Sequence, residues 1–308
     1  MATPIALLFP GQGAQKIGMG KEFYETSPDA QTIFSSADAV LKTDLTRTIF
    51  EGPPEKLTST AYAQPAILTC SVAILKAFAA HPKFKRIAIK FCAGLSLGEY
   101  SALVAIEALS FEEALRLVER RATFMEEATK LETGGMAAII GFPKDMLTSI
   151  CQQTYVQVAN YNSPEQTVIT GNLDRVKAAS EIFKKEGAKS VIPLEVSGAF
   201  HSTLMQPAAR KFAAVLKGFN IKPPAFPVVC NVDALPHADP ETIRKNLALQ
   251  ITSSVRWEQS VRYIAAQGVS EFIEFGPGKV LKGLLRKIDP ALKVYNIETP
   301  ADVEVLPF

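Results

Sequence analysis

The chain has 308 residues, with 33 Lys+Arg against 31 Asp+Glu, three His, four Cys, 47% hydrophobic and 21% charged residues. These proportions are globular and exclude a disordered chain, and the length suits one large domain or a large one with a small companion. A net charge of +2 excludes a general nucleic-acid binder, which needs a concentrated basic surplus, but leaves room for a local basic patch.

The N-terminal MATPIALLFPGQG has no basic leader and runs straight into a strand-like segment, so it is not read as a secretory signal. Ile5–Phe9 is wholly apolar and stops at Pro10-Gly11, which predicts a strand buried on both faces. Gln64–Ala80 carries apolar residues at helical spacing, and Ile87–Ala93 is a second apolar strand ending at Gly94. Helices are predicted at Leu97–Ala105 and Phe111–Lys130, the latter opened by a Ser110/Glu113 capping box.

The texture changes after Thr133-Gly134-Gly135. Short strands at Met136–Gly141, Val156–Asn160, Gln166–Thr170 and Ser190–Pro193 alternate with helices at Lys144–Gln152 and Leu173–Glu186. That β-α-β-β-α-β order is ferredoxin-like and reads as a small unit inserted into a larger α/β one. The expected division is a large α/β subdomain over residues 1–132 and 199–308 and a small one over 133–198. The large unit resumes with a helix after His201 and a strand, Glu271–Phe275, before Gly276-Pro277-Gly278. Strands alternating with helices imply a mostly parallel sheet covered on both faces.

No stretch of ~18 uncharged apolar residues occurs, so no membrane span is expected. Cys70, Cys92, Cys151 and Cys230 form no CxxC pair and sit in or beside apolar runs. They read as buried free thiols of a reducing compartment. A cytoplasmic location is expected, with an organelle reached by a removed transit peptide as the alternative.

Gly94-Leu95-Ser96-Leu97-Gly98 is a GxSxG pattern placed between a buried strand and a helix. A sharp turn there lifts the serine above the sheet edge, and the helix start offers free N–H groups to an oxyanion. The serine needs a base. His81 ends a helix before Pro82, and His237 sits in a polar loop. His201, in the small-residue turn Ser197-Gly198-Ala199-Phe200-His201-Ser202, is the candidate. What orients it is not evident from spacing.

Four segments in order, Phe9-Pro10-Gly11-Gln12-Gly13-Ala14-Gln15, Gly94–Tyr100, Gly198–Ser202 and Gly276-Pro277-Gly278, resemble the malonyl-CoA:acyl-carrier-protein transacylases. These are relatives of the acyltransferase domains of polyketide synthases. The resemblance runs from Phe9 to about Ile288. It implies a hydrolase-like core with a ferredoxin-like insert, and a ping-pong transfer through a malonyl-Ser96 ester, with His201 as general base. It places the orienting main-chain carbonyl at Gln250, the oxyanion donors at the N–H groups of Gln12 and Leu97, and the malonate-binding guanidinium at Arg121. It also puts Phe200 beside the acyl group, where bulk opposes an α-methyl branch, and Asn160 and Asn162 near the coenzyme A arm; turn asparagines after a strand are the competing reading. Leu95 departs from a histidine common in the family, and Ala122 from a glycine.

The resemblance implies malonyl-CoA and an acidic acyl carrier protein as partners and no cofactor; a monomer and no metal site are expected. Lys184, Lys185 and Lys189, with Lys279, Lys282, Arg286 and Lys287, are candidate carrier contacts. No Cys/His ligand spacing, dinucleotide fingerprint or P-loop is present. The competing functions are a serine hydrolase or thioesterase with the same elbow, a polyketide-type acyltransferase of another acyl preference, and a non-catalytic carrier-binding module.

Overall fold

Ile5, Leu7 and Phe9 pack to one side of the first strand and Ala6 and Leu8 to the other, and all five are buried. A strand with no polar face must lie inside a sheet covered on both sides. The computed structural model, which describes residues 3–308, shows that sheet. The strands are β1 (Thr3–Phe9), β2 (Ile87–Gly94), β3 (Gly134–Ile140), β4 (Gln157–Ser163), β5 (Gln166–Asn172), β6 (Ser190–Pro193), β7 (Val228–Val229), β8 (Pro236–His237), β9 (Glu271–Phe275) and β10 (Lys293–Ile297).

The large sheet has the order β10-β9-β1-β2-β7-β8. All its neighbours are parallel except the short β7–β8 pair. One face is covered by the main core, including helices Thr60–Ala80 and Phe111–Thr129. The other is covered by Trp257–Ala266 and Val280–Ile288, through Trp257, Val261, Leu281 and Leu285.

The small sheet is antiparallel, with the order β4-β5-β3-β6 expected of a ferredoxin-like unit. Its outer face, with Ala137, Ile139 and Ile169, packs on helices Lys144–Thr154 and Leu173–Lys185. Its inner face, with Met136, Ala138 and Val168, joins the main core. The edge strand β4 is fastened to the large unit by a parallel bridge between Asn160 and Val255. Val255 donates to Ala159 at 2.8 Å and Tyr161 donates to Val255 at 2.9 Å. Lys144 reaches the Glu258 carboxylate across the same seam, and Arg262, one turn on in the helix of Glu258, binds its other oxygen.

Several elements differ from expectation for identifiable reasons. The helix expected from Gln64 begins at Thr60, because Pro65 sits inside it rather than at its start. That helix is long and apolar enough to cross a bilayer, yet 78% of the relevant stretch is buried in the protein, as a core helix is. β4 runs to Ser163, so Asn160 and Asn162 are strand residues rather than turn residues. Strands β7, β8 and β10 carry too little apolar pattern to have been anticipated. The Ser110 capping box forms as expected, with Glu113 N–H donating to Ser110 Oγ at 3.2 Å.

The turn after β2 is set by contact. A methyl on Gly94 would lie 1.9 Å from the Gly98 carbonyl carbon, and one on Gly98 would lie 2.1 Å from the Phe9 oxygen. Gly94→Ala and Gly98→Ala are therefore expected to destabilise by ~2–3 kcal/mol each, a drop of several degrees in a thermal melt. Gly283→Ala, with nothing near its added methyl, is expected to raise stability by ~0.5–1 kcal/mol through helix propensity.

Candidate active site

Ser96 occupies the turn between β2 and helix Gly98–Ala105 with φ +52°, the left-handed region that a non-glycine residue rarely adopts. Such a conformation costs about 1–3 kcal/mol and survives only where its surroundings enforce it. Here Asn231 does much of that. Its Oδ1 accepts the Ser96 N–H at 2.6 Å, and its Nδ2 donates to the Gly94 carbonyl at 2.7 Å. Gln250 Nε2 donates to the Ser96 carbonyl at 3.0 Å.

His201 also has a positive φ, +59°. Ser202 Oγ donates to the Ala199 carbonyl at 2.6 Å and Thr170 Oγ1 to the Phe200 carbonyl at 2.9 Å, tying that turn to itself and to β5. His201 Nε2 lies 2.8 Å from Ser96 Oγ, and Nδ1 lies 2.8 Å from the Gln250 carbonyl oxygen. A carbonyl can only accept, so Nδ1 carries the proton and the Nε2 lone pair faces the serine hydroxyl. Burial, followed by the positive charge of Arg121, pushes the His201 pKa down to about 4. The imidazole is thus neutral at physiological pH and able to accept a proton.

Arg121 is 1% exposed. Its Nη1 donates to Gln64 Oε1 at 2.7 Å, and its Nη2 to Gln250 Oε1 and to Ser96 Oγ, each at 3.0 Å. Its Nε has no partner among the described residues. Its guanidinium carbon sits 5.7 Å from the Tyr100 ring centre. Burial lowers its pKa, as removing a cation from water must. The charge is held by neutral oxygens and one aromatic face, with no carboxylate ion-paired to it among the described residues.

Ser96, His201 and Arg121 open onto a cleft of about 990 Å³ that Gln12, Phe200, Asn160 and Asn162 also line. Gln12 is fixed in the loop after β1 by hydrogen bonds to Thr60 at 3.2 Å and Gln64 at 3.4 Å. Leu97 follows the serine with helical angles, φ −52° and ψ −40°, so its N–H belongs to the open first turn of the helix. Asn162 Oδ1 is without a partner among the described residues. Lys279 and Lys287 stand at the cleft's rim, while Lys184 is paired with Glu181 on the outer helix of the small unit.

The other histidines are elsewhere. His81 Nδ1 accepts the Lys83 N–H at 3.3 Å, and His237 Nε2 meets Asp233 at 2.7 Å. Among the described residues no three His, Cys, Asp or Glu are grouped to hold a metal. Sequence reasoning missed Gln64, Glu99 and Asn231. A signal existed for each: a polar residue inside an otherwise buried helix (Gln64, Glu99), or closing the short apolar run Val228-Val229-Cys230 (Asn231). Asn231→Ala strips partners from the Ser96 N–H and the Gly94 carbonyl, at roughly 1–3 kcal/mol for each buried group left unpaired. Both the denaturant midpoint and the reactivity of the Ser96 hydroxyl are expected to fall.

The acyl transferase domain family matches residues 6–298. The malonyl CoA-acyl carrier protein transacylase of Bacillus subtilis strain 168 is 48% identical over 308 residues, covering 98% of this chain and 96% of the relative. A solved structure of the corresponding transacylase from Coxiella burnetii superposes with a TM-score of 0.95 at 39% identity, covering 99% and 96% of the two chains. A malonyl-transacylase solved in complex with a type II PKS acyl-carrier protein gives 0.94 at 39% identity, with 98% of each chain covered. A serine elbow, a carbonyl-oriented histidine and a nearly full-length family match agree: the chain belongs to the acyl transferase domain family.

Proposed function

We propose that the protein transfers the malonyl group of malonyl-CoA to the phosphopantetheine thiol of acyl carrier protein, through a malonyl ester on Ser96, and so feeds fatty-acid synthesis. One observation carries the acyl preference. A buried guanidinium with no carboxylate in direct contact with it among the described residues lies 3.0 Å from the Ser96 hydroxyl. It can present parallel donors to a carboxylate attached close to the reacting carbonyl. An acyl group without that carboxylate leaves those donors without a direct anionic acceptor, so the site favours malonyl over acetyl.

The reaction follows from the contacts. Ser96 Oγ attacks the thioester carbonyl as His201 Nε2 takes its proton. The N–H groups of Gln12 and Leu97 stabilise the oxyanion. Coenzyme A leaves as the thiol, receiving the proton back from His201. The carrier's thiol then repeats these steps in reverse, giving its proton to His201 and taking the malonyl group, while Ser96 is reprotonated. Both half-reactions balance with no cofactor. The Gln250 carbonyl fills the orienting role that an Asp fills in other serine enzymes. It does so without placing a carboxylate against the imidazole.

Phe200, Asn160 and Asn162 are assigned to substrate binding on their place in the cleft wall. Residues 133–198 are assigned to the small subdomain and 1–132 with 199–308 to the large one, on the continuity of the two sheets. The four cysteines are free and buried, and burial pushes the Cys151 thiol up to about 12. Unreactive thiols of this kind support a reducing compartment, the cytoplasm.

Intact-mass measurement after mixing with malonyl-CoA is expected to find a malonyl adduct, absent from Ser96→Ala, that disappears when carrier protein is added. Hydrolysis without appearance of malonyl carrier protein would make the protein a thioesterase instead. Arg121→Ala should cost malonyl transfer roughly 2–4 kcal/mol, ~30- to 800-fold in kcat/KM, and acetyl transfer far less. Equal losses would remove Arg121 from the proposed role. Protonating Nε2 abolishes the base, and with His201 held near 4 acidification from about pH 7 to about pH 5 should cost no malonyl loading. An acid limb near the ordinary histidine value of about 6.5 would contradict this.

A further inference from the structure

Beneath the nucleophile lies a carboxyl group that the transfer steps do not use. Glu99, on helix Gly98–Ala105, is 0% exposed. Its Oε2 accepts the Asn231 N–H at 3.0 Å and Gln250 Nε2 at 2.9 Å. Its Oε1 has no hydrogen-bond partner among the described residues. The Gln250 side chain is therefore a bridge: its NH₂ end reaches Glu99, and its carbonyl end accepts from Arg121 at 3.0 Å. The other titratable groups facing Glu99 are Tyr100 on its own helix and Cys230 after β7, both kept neutral by burial. Beyond Cys230, Asn246 leads to the Asp233–His237 pair. Arg121 is thus the charged group that acts on Glu99 at close range.

Resting on the malonyl-transfer reading above, we propose that Glu99 is the counter-charge of Arg121 in the empty cleft and takes a proton from solvent when a substrate carboxylate reaches Arg121, so that malonyl loading of Ser96 is proton-coupled and acetyl loading is not. Two carboxylates cannot both stay ionised cheaply around one guanidinium in a dry site. The substrate's carboxylate touches Arg121 directly, whereas Glu99 acts through an amide, so Glu99 is the one that neutralises. Its unpartnered Oε1 can carry the proton without breaking either bond to Oε2. Burial already raises Glu99 to about 7, so a further upward push acts within the physiological range. By linkage, whatever factor malonyl loading adds to proton affinity, the proton adds to malonyl affinity. The KM for malonyl-CoA should therefore fall as pH drops towards about 7 from above and level off below it.

The test mixes wild-type protein with malonyl-CoA or acetyl-CoA in weakly buffered indicator solution, with Ser96 occupancy read by intact mass. Ionisation of the released coenzyme A thiol is common to both reactions and cancels in the comparison. The expected result is uptake of a fraction of a proton per malonyl group loaded at and above about pH 7, fading by about pH 6 as Glu99 is already protonated before loading, and none for acetyl. In Glu99→Gln, which keeps an oxygen acceptor but cannot ionise, the uptake vanishes and the KM for malonyl-CoA no longer changes with pH. Equal proton exchange for the two acyl groups at equal Ser96 occupancy overturns the proposal, and so does an unchanged pH dependence in Glu99→Gln. If that variant does not fold, the wild-type comparison decides alone. Absence of any malonyl adduct overturns the transferase reading itself, and this inference with it.

Discussion

A guanidinium that is 1% exposed keeps its charge only if other oxygens replace the water it has lost, and Arg121 has three: Gln64, Gln250 and Ser96. Each of the three is itself spoken for. Gln64 is also linked to Gln12, Gln250 to Glu99, and Ser96 to His201. The loop after β1, the elbow after β2, the turn that carries His201 and the end of helix Pro240–Gln250 are thereby brought to one point. Displacing any of them would leave a buried charge short of partners, a larger penalty than losing an ordinary hydrogen bond. The same network explains why two residues can be held in left-handed backbone conformations a few ångströms apart.

The arrangement uses the general geometry of parallel sheets, in which ligands meet the carboxyl ends of the strands. β1, β2 and β7 deliver Gln12, Ser96 and Asn231 to that edge. The small sheet supplies the opposite wall, and its inner face is continuous with the main core rather than separated from it. The seam at Val255 and Glu258 holds that wall in place. The cleft is therefore already formed in the free chain, and little ordering remains for binding to accomplish.

Most of the fold was legible because the chain obeys simple periodicities. β1 and β2 are apolar runs bounded by Pro-Gly or Gly, the capping box of Phe111–Thr129 is written in four residues, and the small unit spells out its own order. The strands that escaped notice are short or mixed: β7 has two residues, and β10 reads Lys-Val-Tyr-Asn-Ile. At the site, Ser96 and His201 could be picked out from local turn chemistry. Gln250 and Arg121 came only from the resemblance, although the helical period of Leu117, Val118 and Met125 puts Arg121 rather than Arg120 on the buried face. Glu99 and Asn231 meet across 132 residues of sequence, so a polar residue among apolar ones marks each of them without saying what it touches.

The way the sheets end has a consequence for the molecule in crowded solution. An unpaired strand edge is a template on which another chain can add, and long flat edges invite aggregation. Here β4 is occupied by Val255, β6 is four residues long and closes on Pro193, and β8 is two residues and begins with Pro236. Proline has no N–H to offer an incoming strand. The remaining edge, β10, opens with Lys293 and has Tyr295 packed edge-on against Phe308 near the chain's end. Each border is thus occupied, short, or marked by a charge, and a protein that must meet a carrier protein leaves no long bare strand for a copy of itself.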